Sequence, residues 1–128
     1  MYILCIDYGK SKIGLAIGDT DTIIAQPYKV IPNSEFNGVI AGVFSKYQIK
    51  KIIIGLPGNY LDSEIKTVGE KLTEMLKIPV VFIDETLTTQ DAQQMLINSG
   101  LKRKNRKEKE DAVAAAIMLQ YYLEASFR

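Results

Sequence analysis

The chain has no histidine, no tryptophan and a single cysteine. Without histidine, Ser-His-Asp and Cys-His catalysis, His-ligated zinc and the usual proton carrier near neutral pH are all excluded. Cys5 cannot form an internal disulfide or build a cysteine zinc site, and its apolar neighbours mark it as a core residue. Long apolar runs are also missing. Ile52 to Ile54 and Val80 to Ile83 are strand-sized, far short of the roughly 20 residues that cross a bilayer. The first residues carry Asp7 and Lys10 and lack a basic start followed by an apolar segment, so a secretion signal is not expected and a cytoplasmic location is. Any chemistry must come from carboxylates, lysines or a metal.

What is present is an ordinary globular balance: 128 residues, 47% apolar and 24% charged, which predicts one domain over 1–128 with a real core. The net charge of +1 hides an uneven distribution. Six basic residues and one acid lie between Lys102 and Lys109, against ten basic and fourteen acidic residues elsewhere. A basic segment on a mildly acidic body points to a local anionic partner.

Tyr2 to Asp7 reads as a central strand, apolar on both faces. A second strand is predicted over Ile13 to Ile17. A third is predicted over Ile23 to Val30, with Pro27 at an edge or bulge, and short connections make these antiparallel hairpins. Asn33-Ser34 offers an N-cap for a helix to about Tyr47. Then follow a strand over Lys51 to Leu56, a helix from about Ser63 to Leu76 and a strand over Val80 to Ile83. A helix opened by Thr88 and Asp91 is expected to stop near Ser99-Gly100, and an alanine-rich helix covers about Lys109 to Ala125. Right-handed crossovers make the fourth and fifth strands parallel to the first, giving an α/β fold: a five-stranded mixed sheet with helices on both faces. Asp7 and Asp84-Glu85 then fall at the carboxyl ends of strands, the edge where such sheets bind ligands.

Asp7 ends a buried strand, where a carboxylate is costly unless something positive compensates it. Asp84-Glu85 ends another, and alternation sends only one of the two into a given site. Asp111 lies in the first turn of the last helix, where the helix dipole favours it. Three close carboxylates repel unless a cation joins them, and Mg²⁺ suits an all-oxygen set. The basic loop just before Asp111 can hold phosphates, and Thr88 and Thr89 can either bond a phosphate or simply cap a helix. Gly9 and Gly14 read as turn glycines.

Several motifs together resemble the YqgF/RuvX family: Asp7-Tyr8-Gly9-Lys10-Ser11-Lys12-Ile13-Gly14-Leu15-Ala16, Gly55-Leu56-Pro57, Asp62-Ser63-Glu64, Asp84-Glu85-Thr86-Leu87-Thr88-Thr89, and Arg106-Lys107 with Asp111-Ala112-Val113-Ala114-Ala115-Ala116. The resemblance covers nearly the whole chain. It implies an RNase H-like fold related to Holliday junction resolvases and a three-carboxylate site for Mg²⁺ or Mn²⁺. It also implies a nuclease maturing the 5′ end of pre-16S ribosomal RNA. The matching positions are Asp7, Glu85 and Asp111, and only the resemblance prefers Glu85 to Asp84. Lys12, Thr88, Thr89, Arg103, Arg106 and Lys107 are the expected nucleic-acid contacts. Lys12 stands where the family usually has Arg, which keeps the charge and loses the bidentate fork. Thr86 and Gly58 are further departures.

Function classes follow from this. The leading expectation is a metal-dependent endonuclease acting on pre-rRNA or branched DNA, as a monomer or homodimer and away from membranes. A junction resolvase needs a symmetric dimer. A non-catalytic nucleic-acid-binding module would use the basic loop alone. Asp7-x-Gly9 with Gly14 also resembles the phosphate loop of the actin and sugar-kinase superfamily, whose members clamp ATP between two such domains where this chain supplies one.

Overall fold

The computed structural model describes residues 1–85, 94 and 110–127. The helix expected from Thr88, the basic loop over Lys102 to Lys109, and with them Thr88, Thr89, Arg103, Arg106 and Lys107, lie outside the described residues.

Five strands, β1 (Tyr2–Asp7), β2 (Lys12–Asp19), β3 (Ile24–Pro32), β4 (Lys51–Leu56) and β5 (Val80–Asp84), form one sheet in the order β3-β2-β1-β4-β5. The β1–β2 and β2–β3 pairs are antiparallel, and β1–β4 and β4–β5 are parallel. The described helices are α1 (Phe36–Tyr47), α2 (Asp62–Leu76) and, labelled α3, Glu110–Phe127. No described helix is long and apolar enough to cross a membrane.

Strand alternation divides the sheet's apolar residues into two cores. Leu4 and Ile6 of β1, with Ile52 and Ile54 of β4, pack under Phe36, Ile40 and Val43 of α1 and Ile65 and Leu72 of α2. Ile3, Cys5 and Ile53 face the other way, under Ala115, Ala116, Met118, Leu119 and Leu123 of α3. β1 is buried on both faces because helices cover both, and Cys5 is a core residue whose thiol burial keeps protonated. Burying each of the larger aliphatic and aromatic side chains among these is worth about 1.5–3 kcal/mol.

The starts of β3 and α1 differ from the sequence reading, and the bulge expected at Pro27 is present, each for an identifiable reason. β3 begins at Ile24, because the Ile23 amide turns back to the Asp19 carbonyl at 2.9 Å with φ +57°. The β2–β3 register slips between Leu15 and Ala16, whose partners are Lys29 and Pro27. Pro27 therefore sits at a bulge on an edge strand, where its missing N–H does least harm. A 3₁₀ turn over Asn33–Glu35 precedes α1, and Asn33 does not cap that helix. Its side-chain amide instead donates to the Gly9 carbonyl at 2.7 Å, tying the β1–β2 turn to the start of α1. The helices α1 and α2 end on left-handed Gln48 and Lys77, where glycine is the usual residue.

Candidate active site

β1 places Asp7 by alternation. Ile3 and Cys5 lie under α3, so Asp7, the next residue of that parity, opens toward the same helix at the carboxyl end of the strand. Beside it in the ladder, Asp7 pairs with Gly14 of β2. Gly14 is thus a strand residue rather than the turn glycine expected, and its missing side chain makes room for α3. A Cβ built there would collide with the carbonyl of Asp111 and lie 2.7 Å from the Ala112 nitrogen.

The same face of β2 continues with Ala16 and Gly18, where a Cβ would come within 2.9 Å of Leu119 and Leu123. Small residues on β2 meet Ala112, Ala115 and Ala116 on α3, so helix and sheet approach closely. The first turn of α3 is thereby pressed against the strand next to Asp7, and Asp111 is delivered with it. The alanines of this helix are spacing devices as much as helix formers.

Asp84 and Glu85 are separated by the same alternation. Val81 and Ile83 of β5 pack on the α3 side, and Val80 and Phe82 on the other. Glu85 follows in the first series, and its Cβ is 3.4 Å from where a Cβ on Gly55 would stand, next to Met118 of α3. Asp84 is exposed and Glu85 is half-buried. The face shared with Asp7 and Asp111 is therefore the one Glu85 occupies.

The charges respond to this placement. Burial raises the Asp7 pKa first, and the carboxylates of Glu85 and Asp111 raise it further, to about 7. Burial also raises Glu85, with the charges of Asp84 and Asp62 adding to it. Bringing Asp7 to full ionisation at neutral pH requires a positive partner. Three carboxylates with no nitrogen or sulfur donor suit a hard divalent ion such as Mg²⁺. Among the described residues no three such groups are already gathered into an ion-binding cluster, so the fit rests on donor chemistry and on the charge the three share.

Lys12, the described member of the expected nucleic-acid contacts, is exposed at the start of β2, beyond the turn that follows Asp7. Three residues have supporting roles that the sequence does not show. Gln120 is 2% exposed; its Oε1 accepts from the Ala25 amide at 2.8 Å and its Nε2 donates to the Ile23 carbonyl at 2.9 Å, pinning α3 to the β2–β3 hairpin. A polar residue amid the apolar run of α3 was the only signal for it. Asn33 suits a cap by sequence but bonds the Gly9 carbonyl instead. Asp62 was noted as a motif match, yet its Oδ1 accepts from the amides of Gly58 at 3.0 Å and Asn59 at 3.3 Å, ordering the loop after β4.

A family model described as Holliday junction resolvase, RuvX, matches residues 1–125. A protein of Dictyoglomus thermophilum named "Putative pre-16S rRNA nuclease" is 35% identical, the match covering 98% of this chain and 97% of that one. A protein of the same name from Caldanaerobacter subterraneus subsp. tengcongensis is 39% identical, with 98% and 97% covered. Among solved structures, T. thermophilus RuvC in complex with Holliday junction substrate superposes with a TM-score of 0.66 at 16% identity, over 98% of this chain and 94% of that one. Fowlpox virus resolvase with substrate Holliday junction DNA gives 0.65 at 15% identity, over 100% of both. At such identities the structures establish a shared fold, the RNase H-like α/β fold.

Proposed function

This chain belongs to the RuvX family, and on that premise we propose that it is a single-domain nuclease cleaving phosphodiester bonds in structured nucleic acid, with the 5′ end of pre-16S rRNA as substrate. The observation that carries the proposal is Asp7 at the carboxyl end of β1, its pKa raised to about 7 by burial first and then by the charges of Glu85 and Asp111. The substrate preference is supported by the relatives' name.

In this reading Asp7, Glu85 and Asp111 hold Mg²⁺ or Mn²⁺, which when bound supplies positive charge against the phosphate and the charge that builds up in cleavage. The protein's part is placement. β1 fixes Asp7 by its ladder to Gly14, the end of β5 fixes Glu85, and the close seat of α3 fixes Asp111. Lys12, Thr88, Thr89, Arg103, Arg106 and Lys107 grip phosphates on either side of the cleaved bond, so binding weakens with salt. The protein acts in the cytoplasm, as a monomer or homodimer.

The family's description favours one second reading, a Holliday junction resolvase, which requires a symmetric dimer. The deciding experiment incubates the protein with Mg²⁺ or Mn²⁺ and labelled pre-rRNA 5′ segments, single-stranded RNA, duplex DNA and a four-way junction, alongside Asp7→Asn protein and EDTA. Cleavage abolished by both controls is expected, and the substrate cut separates the two readings. No cleavage anywhere, with salt-sensitive binding retained by the variant, would refute catalysis and leave a binding module.

A further inference from the structure

We propose that Tyr60 is a stacking platform for an unpaired nucleobase next to the cleaved phosphodiester, with Lys10 on that nucleotide's phosphate. This rests on the nuclease reading and names the substrate feature that the site selects. Tyr60 is 77% exposed, the most exposed of the large apolar and aromatic side chains among the described residues. Folding gains little from a ring left in water, so its position calls for another explanation.

That position is at the same sheet edge as Asp7 and Glu85, since β1, β4 and β5 run parallel. Tyr60 lies in the loop after β4, five residues beyond Gly55, the residue next to the Glu85 Cβ. Lys10 lies in the turn three residues after Asp7, and its Nζ stands 5.5 Å from the centre of the Tyr60 ring. The lysine thus joins the two loops that follow β1 and β4 across the edge where Asp7 and Glu85 emerge. One side of the ring meets the ammonium, and the ring remains mostly open to solvent.

The loop beneath is braced although the side chain is exposed. Besides the bonds from Gly58 and Asn59 to Asp62, the Leu61 amide donates to Asn59 Oδ1 at 2.8 Å and the Asp62 amide to the Asn59 carbonyl at 3.2 Å. Gly58 supplies a φ of +78° that other residues rarely adopt. The ring is therefore presented from a fixed backbone, and little ordering is lost when something stacks on it. A flat aromatic face with a cation at its side matches a nucleotide: base on ring, phosphate on ammonium. Bases inside a duplex have no free face, so the ligand is a nucleotide already unpaired, at an overhang, a loop or a branch.

The test measures binding in Asp7→Asn protein, which does not depend on cleavage. Hairpins of RNA and of DNA, each with a 5′ overhang carrying 2-aminopurine, are compared with blunt duplexes, and Tyr60→Ala, Tyr60→Phe and Lys10→Ala are added to the Asp7→Asn background. Tyr60→Ala should weaken overhang binding about tenfold and abolish the fluorescence change of the stacked 2-aminopurine, leaving blunt-duplex binding unchanged. Tyr60→Phe should keep both signals, and Lys10→Ala should flatten the salt dependence on the overhang. The RNA and DNA arms show which sugar the platform accepts. Overhang binding by Tyr60→Ala within about twofold of its parent, or equal weakening on blunt duplexes, overturns the proposal. Wild-type protein that cuts nothing refutes the nuclease reading separately, whatever the stacking result.

Discussion

Replacing Gly14 with alanine puts one methyl group between β2 and the first turn of α3. The obstacles are backbone atoms, the Asp111 carbonyl and the Ala112 nitrogen, so no side-chain rotation relieves the contact. Ordinary van der Waals contact begins at 3.4 Å and the nitrogen is at 2.7 Å, so the helix start must withdraw by about 0.7 Å there and by more at Asp111. Overpacking of this kind costs about 1–3 kcal/mol. The lower chain entropy of alanine offsets about 0.5–1 kcal/mol of that. A net loss of about 1–2 kcal/mol lowers Tm by roughly 3–10 °C for a chain of this size. The effect on the site is larger, because a catalytic group misplaced by about 1 Å costs on the order of a hundredfold in rate. Gly18→Ala is the matched control. Its Cβ meets the tips of Leu119 and Leu123 at 2.9 Å, which can shift, and Leu119 lies about 12 Å along the helix from Asp111. Cleavage rates and thermal melts of both variants, with NMR titration of the Asp7 carboxyl, form the assay. Gly14→Ala should lose about a hundredfold in rate and lower the Asp7 pKa as the Asp111 charge recedes, and Gly18→Ala should do neither. A folded Gly14→Ala protein with near wild-type cleavage and an unmoved Asp7 titration would refute the argument that β2 positions Asp111.

The remaining expectations concern charge and support. The Asp7 pKa of about 7 lies above that of an unfolded carboxylate, so between about pH 4 and 7 the folded state holds a proton that the unfolded chain has released. Metal-free stability therefore falls as pH rises through that window and levels off above it. Asp7→Asn should flatten the profile and be more stable than wild type at pH 8 by on the order of 1–3 kcal/mol, as read by thermal melts in EDTA; identical slopes would disprove it. Mg²⁺ should raise the Tm of wild type at pH 8 and leave Asp7→Asn nearly unmoved. Gln120→Leu strands the Ala25 amide and the Ile23 carbonyl and should cost about 2–4 kcal/mol in a denaturant titration; unchanged stability would mean the hairpin is not pinned by this side chain. Asn33→Ala frees the turn after Asp7 and should speed amide exchange over residues 9–11, with about 1 kcal/mol lost from global stability.

Local pattern and topology are legible in the order of residues. The double-sided apolar β1 announced a central strand, short links announced the antiparallel three-stranded half, and long links announced the parallel crossovers that put strands 1, 4 and 5 side by side. Pro27 announced its bulge. These features depend on side-chain period and chain connectivity, both written in the order of residues. The choice between Asp84 and Glu85 was not. Alternation says that they face opposite ways, but which way is useful depends on where α3 lies, and α3 follows β5 by more than twenty residues. Gln120 likewise meets its partners 95 and 97 positions away. Gly14 looked like a turn residue because the sequence shows a missing side chain without showing what fills the space. The sequence by itself determined which carboxylates end strands and begin helices; only the tertiary structure decided that the charges of Glu85 and Asp111 are felt at Asp7, since that depends on how closely a helix can settle on a sheet.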